Sequence, residues 1–167
     1  MYDELTEVDI KKMEEEIQYR ESVLGPKLLA EMSRTREYGD LSENAEYKEA
    51  KREKRRNEGR IRYLKNMIRT ANVISVERED GRIALFDRVT IFNEKIGKEK
   101  VIQIVTTLRQ NALLGYVSKE SPLGTALLGR RVGDRVKVVV NEEMSYYVRI
   151  VSAEHCEDNA ELPISGY

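Results

Sequence analysis

The apolar residues of this chain change period near Ala71, and that change limits the possible folds more than any other feature. From Thr6 to about Arg36 they fall at Ile10, Met13, Ile17, Leu24, Leu28 and Met32, in steps of three, four or their sum, the stripe of an amphipathic helix. Thr6 followed by Asp9 has the spacing of a capping box at its start, and a helix of this span would reach about 45 Å at ~1.5 Å per residue. Gly25-Pro26 interrupts the stripe; proline lacks the amide donor and clashes with the preceding turn, so a bend or local defect is expected there. Gly39 suits a helix C-terminus, and a second helix-favouring segment runs from about Leu41 to Ala71. Helices joined by so short a turn must lie antiparallel. Positions whose numbers sum to about 80 then face each other, placing Ile17 opposite Tyr63. The apolar seam thins away from this base, because KREKRRNEGR between Ala50 and Ile61 contains no large apolar residue.

Beyond Ala71 the period becomes two. NVISV, IALFDRVTIF, KVIQIV, RVKVVV and YYVRIV alternate, are rich in Val and Ile, and are separated by turn-forming segments, which reads as about five strands of an antiparallel sheet. SPLGTALLG stands apart: Ser121 can cap, Pro122 suits the first helical position and Gly129 can end the turn, giving one short helix. The fold class is therefore α+β. The expected divisions are a coiled-coil hairpin over 1–76, a sheet domain over 77–154 and a flexible tail over 155–167.

Several chemistries are disfavoured. With 29 Lys+Arg against 30 Asp+Glu in 167 residues, the net charge of -1 argues against a polybasic nucleic-acid binder, so such a contact would be local. One Cys and one His provide neither a disulfide framework nor the usual zinc ligands, and adjacent His155 and Cys156 cannot readily orient as nucleophile and base. The glycines form no phosphate loop, and the nine tyrosines are too scattered to suggest a stacking platform. No apolar run approaches membrane-spanning length, and the acidic start MYDELTEVDI has no leader character, so a cytoplasmic protein without membrane contact is expected.

Two features of the hairpin admit more than one meaning. At the tip, REYGDLSENAEY places Asp40 and Glu43 three residues apart. They could form a capping box for the second helix. Alternatively, carboxylates at i and i+3 at the end of an arm could donate hard oxygen ligands to Mg²⁺ in a site completed by a partner. Residues 48–69 hold ten Lys/Arg against three Glu, net +7, whereas residues 1–21 hold eight acids against three bases, net -5. The basic run either solvates an exposed helix and pairs with acids across the hairpin, or contacts phosphates together with Arg34 and Arg36.

REYGDLSENAEYKEAK at the tip, EGRIRYL followed by ANVI on the return helix, and SPLGTALLGRRVGD in the second half resemble the Gre transcript cleavage factors of bacterial RNA polymerase, GreA type, over roughly residues 6–151. The resemblance implies a coiled-coil hairpin on a C-terminal FKBP-like domain. It implies a non-enzymatic elongation factor whose hairpin enters the polymerase secondary channel and stimulates the polymerase's own hydrolysis of the 3′ end of backtracked RNA. Asp40 and Glu43 match the tip acids that help hold a catalytic Mg²⁺, shared with polymerase; no cofactor of the chain's own is implied. Arg36, Lys51 and Arg52, then Lys48, Arg55 and Arg56, match the basic patch facing the RNA. Ser121, Pro122, Leu123 and Gly124 fall where the family docks on the polymerase rim coiled coil, and a monomer is the simplest state for an arm entering a channel.

An FKBP-like fold does not bring prolyl isomerase activity with it. The stretch 105–118, VTTLRQNALLGYVS, lacks the acidic segment usual in the family. A channel-occupying regulator without cleavage activity and a coiled-coil chaperone or adaptor are the competing functions.

Overall fold

The structure is a computed structural model that describes residues 3–37, 44–159 and 161–166. The chain forms two compact units, one comprising Ile10–Ala71 and the other Asp3–Asp9 with Asn72–Tyr167.

In the first unit α1 (Glu7–Tyr19), a π-helical turn (Arg20–Leu24) and α2 (Gly25–Arg36) run antiparallel to α3 (Ala45–Thr70). The expected capping box is present. Thr6 N–H donates to Asp9 Oδ2 at 3.0 Å and Asp9 N–H to Thr6 Oγ1 at 3.3 Å. The expected defect is the π-turn itself, where Gly25 N–H bonds to Arg20 O. Pro26 cannot donate to the carbonyl four residues back, and the widened turn relieves the clash of its ring with that group. A Cβ on Gly25 would lie 2.9 Å from Arg20 O. Alanine in place of a helical glycine normally stabilises, but here the opposing atom is backbone. Gly25→Ala is therefore expected to lower stability by about 1 kcal/mol, read by urea unfolding; a gain would show that the turn reverts to regular α-helix.

Met13, Ile17 and Leu64 form the apolar base of the hairpin seam. Further along, Asn57 and Arg60 are buried in place of apolar residues. Arg20 Nη1 donates to Asn57 Oδ1 at 3.1 Å, and Asn57 Nδ2 donates to Arg20 O at 3.4 Å. Glu16 accepts from Arg20 Nε at 2.7 Å and from Arg60 Nε at 2.9 Å. Burial alone would raise the Glu16 pKa, but the bonds and charges of Arg60 and Arg20 together outweigh it and hold the carboxyl below its usual value of 4.5. A depressed carboxylate stabilises above its unfolded pKa and loses that contribution as pH falls through the folded value. Glu16→Gln should thus melt earlier than wild type at neutral pH, with the gap closing on acidification below about pH 4; a gap independent of pH would discount the ion pairs.

The second unit contains β3 (Arg88–Asn93), β4 (Lys98–Val105), β5 (Tyr116–Ser118), α4 (Pro122–Leu127), β6 (Arg135–Val139) and β7 (Ser145–Glu154), with β1 (Glu4–Leu5) paired to β2 (Asn72–Val73). The five-stranded sheet has the order β5-β4-β3-β7-β6. Alternate residues Val89/Ile91, Ile102/Ile104, Val136/Val138 and Val148/Ile150 face a core completed by Phe86, Leu127 and Leu162. Two strand expectations are corrected. NVISV contributes only β2 of the separate parallel pair, and YVS supplies the fifth strand of the main sheet. That strand runs parallel to β4, so the sheet is antiparallel apart from this edge. The segment before β3 does not continue as strand, since Phe86 has φ 71°. That conformation is costly for a bulky residue. Phe86 N–H to Ile104 O at 2.7 Å and Gln103 Nε2 to Phe86 O at 2.9 Å hold it in place.

The division at 76 and the flexible tail are also corrected. Residues 3–9 belong to the sheet unit, and the hairpin unit ends at Ala71. The described tail residues are docked: Leu162 is buried in the core, and both N–H and Oγ of Ser165 donate to Leu108 O at 2.7 Å. His155 Nδ1 lies 2.8 Å from Asp87 Oδ2, and Asp87 also takes Arg78 Nη1 at 3.1 Å. Arg109 joins the two ends of this unit. Its Nε meets Asp9 Oδ1 at 2.5 Å, its Nη1 meets Asp158 Oδ1 at 2.6 Å and Asn159 O at 3.0 Å, and Thr6 Oγ1 donates to Asp158 Oδ2 at 2.6 Å. Among the described residues no helix is long and apolar enough to cross a membrane.

Candidate functional site

Asp40 and Glu43 lie outside the described residues, which bracket them closely. α2 ends at Arg36 and α3 begins at Ala45, capped by Asn44, whose Oδ1 accepts from Tyr47 N–H at 3.0 Å. The return helix thus starts later than its composition suggested, and the capping role considered for Asp40 belongs to Asn44. The Asn44 amide also donates from Nδ2 to Thr35 O at 2.7 Å. Thr35 is almost wholly buried, and its Oγ1 donates to Met32 O at 3.0 Å. One side chain therefore caps α3 and ties it to the end of α2. Sequence reading missed Asn44, although an Asn just before the helix-favouring AEYKEAK was the signal.

The six candidate cations differ in their surroundings. Lys48, Lys51, Arg52, Arg55 and Arg56 are exposed on α3 and Arg36 is exposed at the end of α2. Arg52 is paired with Glu49 at 3.0 Å and Arg56 with Glu53 at 2.7 Å, both one helical turn back. Lys48, Lys51 and Arg55 make no close ion pair with a described carboxylate, although the charge of Arg55 helps hold the Glu58 carboxyl below its usual pKa. Among the described residues the ion pairs across the hairpin are made by other cations, Arg34 with Glu46 at 4.0 Å, Arg60 with Glu16 at 2.9 Å and Lys65 with Glu21 at 2.6 Å. Arg36 faces the Tyr47 ring, with its guanidinium carbon 5.8 Å from the centroid.

The SPLG stretch is largely occupied in building α4. Ser121 Oγ accepts from Gly124 N–H at 3.0 Å and donates to Ser118 O at 2.7 Å. Gly124 lies so close to the Ser118 carbonyl that any Cβ would overlap it, and Leu123 packs against the core. Pro122 is the exposed member. Among the described residues no three His, Cys, Asp or Glu side chains converge as a metal site.

Residues 4–73 match the family model "Transcription elongation factor, N-terminal", and residues 78–155 match "Transcription elongation factor, GreA/GreB, C-term". The chain belongs to the GreA/GreB family. Transcription elongation factor GreA of Azorhizobium caulinodans is 41% identical over 128 residues, covering 76% of this chain and 82% of that protein. GreA of Bacillus licheniformis is 38% identical over 135 residues, covering 80% and 85%. Among solved structures, the GreA factor homolog Gfh1 of Thermus thermophilus is similar over 93% of this chain and 100% of that one, at 24% identity and a TM-score of 0.42. Membership in the GreA/GreB family makes this chain a transcription elongation factor of the transcript cleavage type and implies that it binds bacterial RNA polymerase. The family match ends at residue 155, before most of the docked tail.

Proposed function

We propose that this factor inserts its hairpin into the secondary channel of RNA polymerase and stimulates the polymerase's own Mg²⁺-dependent hydrolysis of the 3′ end of backtracked RNA, rescuing arrested complexes. The observation that carries the reading is the base of the tip: Asn44 caps the return helix, which removes the cap as a reason for Asp40 to be there. The family match across 4–73 includes the whole tip motif.

Asp40 and Glu43 are the ligands the chain donates. As a donor set they fit Mg²⁺, which takes hard oxygen ligands, commonly one or two carboxylates from a protein, and completes its shell with water and phosphate oxygens. When bound, the ion supplies Lewis acidity and an activated water. The chain has no catalytic centre or cofactor of its own in this reading; the polymerase carboxylates complete the site. Arg36, Lys51 and Arg52, with Lys48, Arg55 and Arg56, attract the extruded RNA and hold its backbone. The sheet unit docks on the polymerase rim coiled coil, using Ser121–Gly124 in part, and the factor works as a cytoplasmic monomer.

The test is a stalled, backtracked polymerase carrying 3′-labelled RNA. Short labelled fragments released only when factor and Mg²⁺ are both present support the proposal. Binding to polymerase without release would make the protein a channel-occupying regulator, and no binding would leave the adaptor reading.

A further inference from the structure

Arg36 and Tyr47 meet across the two strands of the hairpin, one at the last helical position of α2 and the other in the first turn of α3. Both are held through their backbone neighbours by the same residue: Asn44 bonds to the carbonyl of Thr35, next to Arg36, and to the N–H of Tyr47. The pair is therefore set in place before any ligand arrives. Tyr47, Lys51 and Arg55 follow at steps of four, which puts them on one ridge of α3 with successive side chains about 6 Å apart. Lys51 and Arg55 on this ridge make no close ion pair with a described carboxylate, although the charge of Arg55 is felt by Glu58, whereas Arg52 and Arg56 on the adjoining ridge are each paired within the helix. The Tyr47 phenol is held below its ordinary pKa chiefly by the hydrogen bond from Arg36, against partial desolvation, with the charges of Arg36, Lys51 and Arg55 acting in the same direction.

An aromatic ring flanked by a guanidinium and followed by regularly spaced exposed cations is the chemistry that takes a single-stranded nucleic acid: the ring stacks a base whatever its identity, and the cations follow the phosphates. We propose that Tyr47, braced by Arg36, is a substrate-contacting residue that stacks a base near the extruded RNA 3′ end, and that Lys51 and Arg55 take the phosphates of the same strand. This rests on the cleavage-factor reading above and refines it, because it divides the six basic residues: Arg52 and Arg56 contribute less than Lys51 and Arg55. It also singles out one of the nine tyrosines that sequence reading treated as scattered.

The experiment uses backtracked polymerase with a 4-thiouridine at the RNA 3′ end, challenged with wild type, Tyr47→Phe, Tyr47→Leu and Asp40→Asn. Cleavage is measured at saturating factor, polymerase affinity is measured separately, and circular dichroism checks that each hairpin is folded. Tyr47→Phe keeps the ring and should cleave at close to the wild-type rate. Tyr47→Leu should lose about tenfold in rate with unchanged polymerase affinity, the scale of one lost base–aromatic stack. In the Asp40→Asn complex, where the RNA stays intact, irradiation should join the thiouridine to Tyr47. Wild-type rates from Tyr47→Leu together with a crosslink elsewhere would overturn the proposal and leave Tyr47 as a brace between helices. An equal loss in Tyr47→Phe would overturn stacking, since that variant keeps the ring and loses the hydroxyl with its hydrogen bond from Arg36. If wild type does not cleave, the cleavage reading fails, and the crosslink alone still decides whether Tyr47 touches the RNA.

Discussion

Asp40→Asn combined with Glu43→Gln is expected to reduce transcript cleavage by roughly 100-fold or more, the scale on which a preorganised electrostatic partner at a reacting centre is felt. Both substitutions keep the size of the side chain and remove its charge, so the loss falls on metal binding rather than on shape. Stability provides the control. If the carboxylates formed the cap of α3, the double variant would lose about 1 kcal/mol. Since Asn44 holds that position, the change should stay within ~0.5 kcal/mol, the range of ordinary surface substitutions. The cap's worth should instead be lost in Asn44→Ala. Cleavage assays alongside urea unfolding of both variants separate the roles. Undiminished cleavage by the double variant would sink the tip assignment, and a stability loss concentrated there would restore the capping interpretation.

The parts of the fold that were legible in the sequence are those governed by periodicity. Met13, Ile17 and Leu64 follow a helical period, and the pairs Val89/Ile91 and Ile102/Ile104 follow a strand period, because burial on one face of a regular element imposes a local pattern. Contacts between distant polar residues impose none. Asn57 and Arg60 sit within what reads as a solvated charge run, yet both are buried against Arg20 and Glu16. NVISV looks like any other alternating segment, and only its partner, the short β1, decides that it leaves the main sheet. At the candidate site, the motif singled out Asp40 and Glu43, which lie outside the described residues. The Arg36–Tyr47 pair was not legible, since its partners are brought together by the hairpin turn and by Asn44 rather than by spacing along one helix.

Arg109→Ala is expected to cost the sheet unit about 3–5 kcal/mol, the usual penalty for leaving a buried charge unpaired. The guanidinium is wholly buried and so is its partner Asp9, 100 residues away in sequence. Truncation removes the cation while Asp9 stays in place, held by the N–H of Thr6. The second carboxylate, Asp158, keeps its bond from the Thr6 hydroxyl but loses its ion pair. The Asn159 carbonyl loses its donor, and the Phe86 ring loses the cation 5.2 Å from its centroid. The same residue thus ties the start of α1, the turn after β4 and the tail, which predicts that the variant also exposes the segment around Asp158 to proteolysis before global unfolding. The pair need not favour stability over an apolar alternative, because desolvating two charges offsets much of their attraction. Pairing Arg109→Met with Asp9→Asn, which removes the fully buried pair of charges and preserves the side-chain bond to Thr6, should therefore recover the part of the loss that comes from Asp9, while Asp158 stays without its cation. Urea unfolding of the single and double variants reads the coupling directly. If Arg109→Ala alone shifts stability by less than ~1 kcal/mol, the network is incidental to the fold and the tail is held by Leu162 and Ser165.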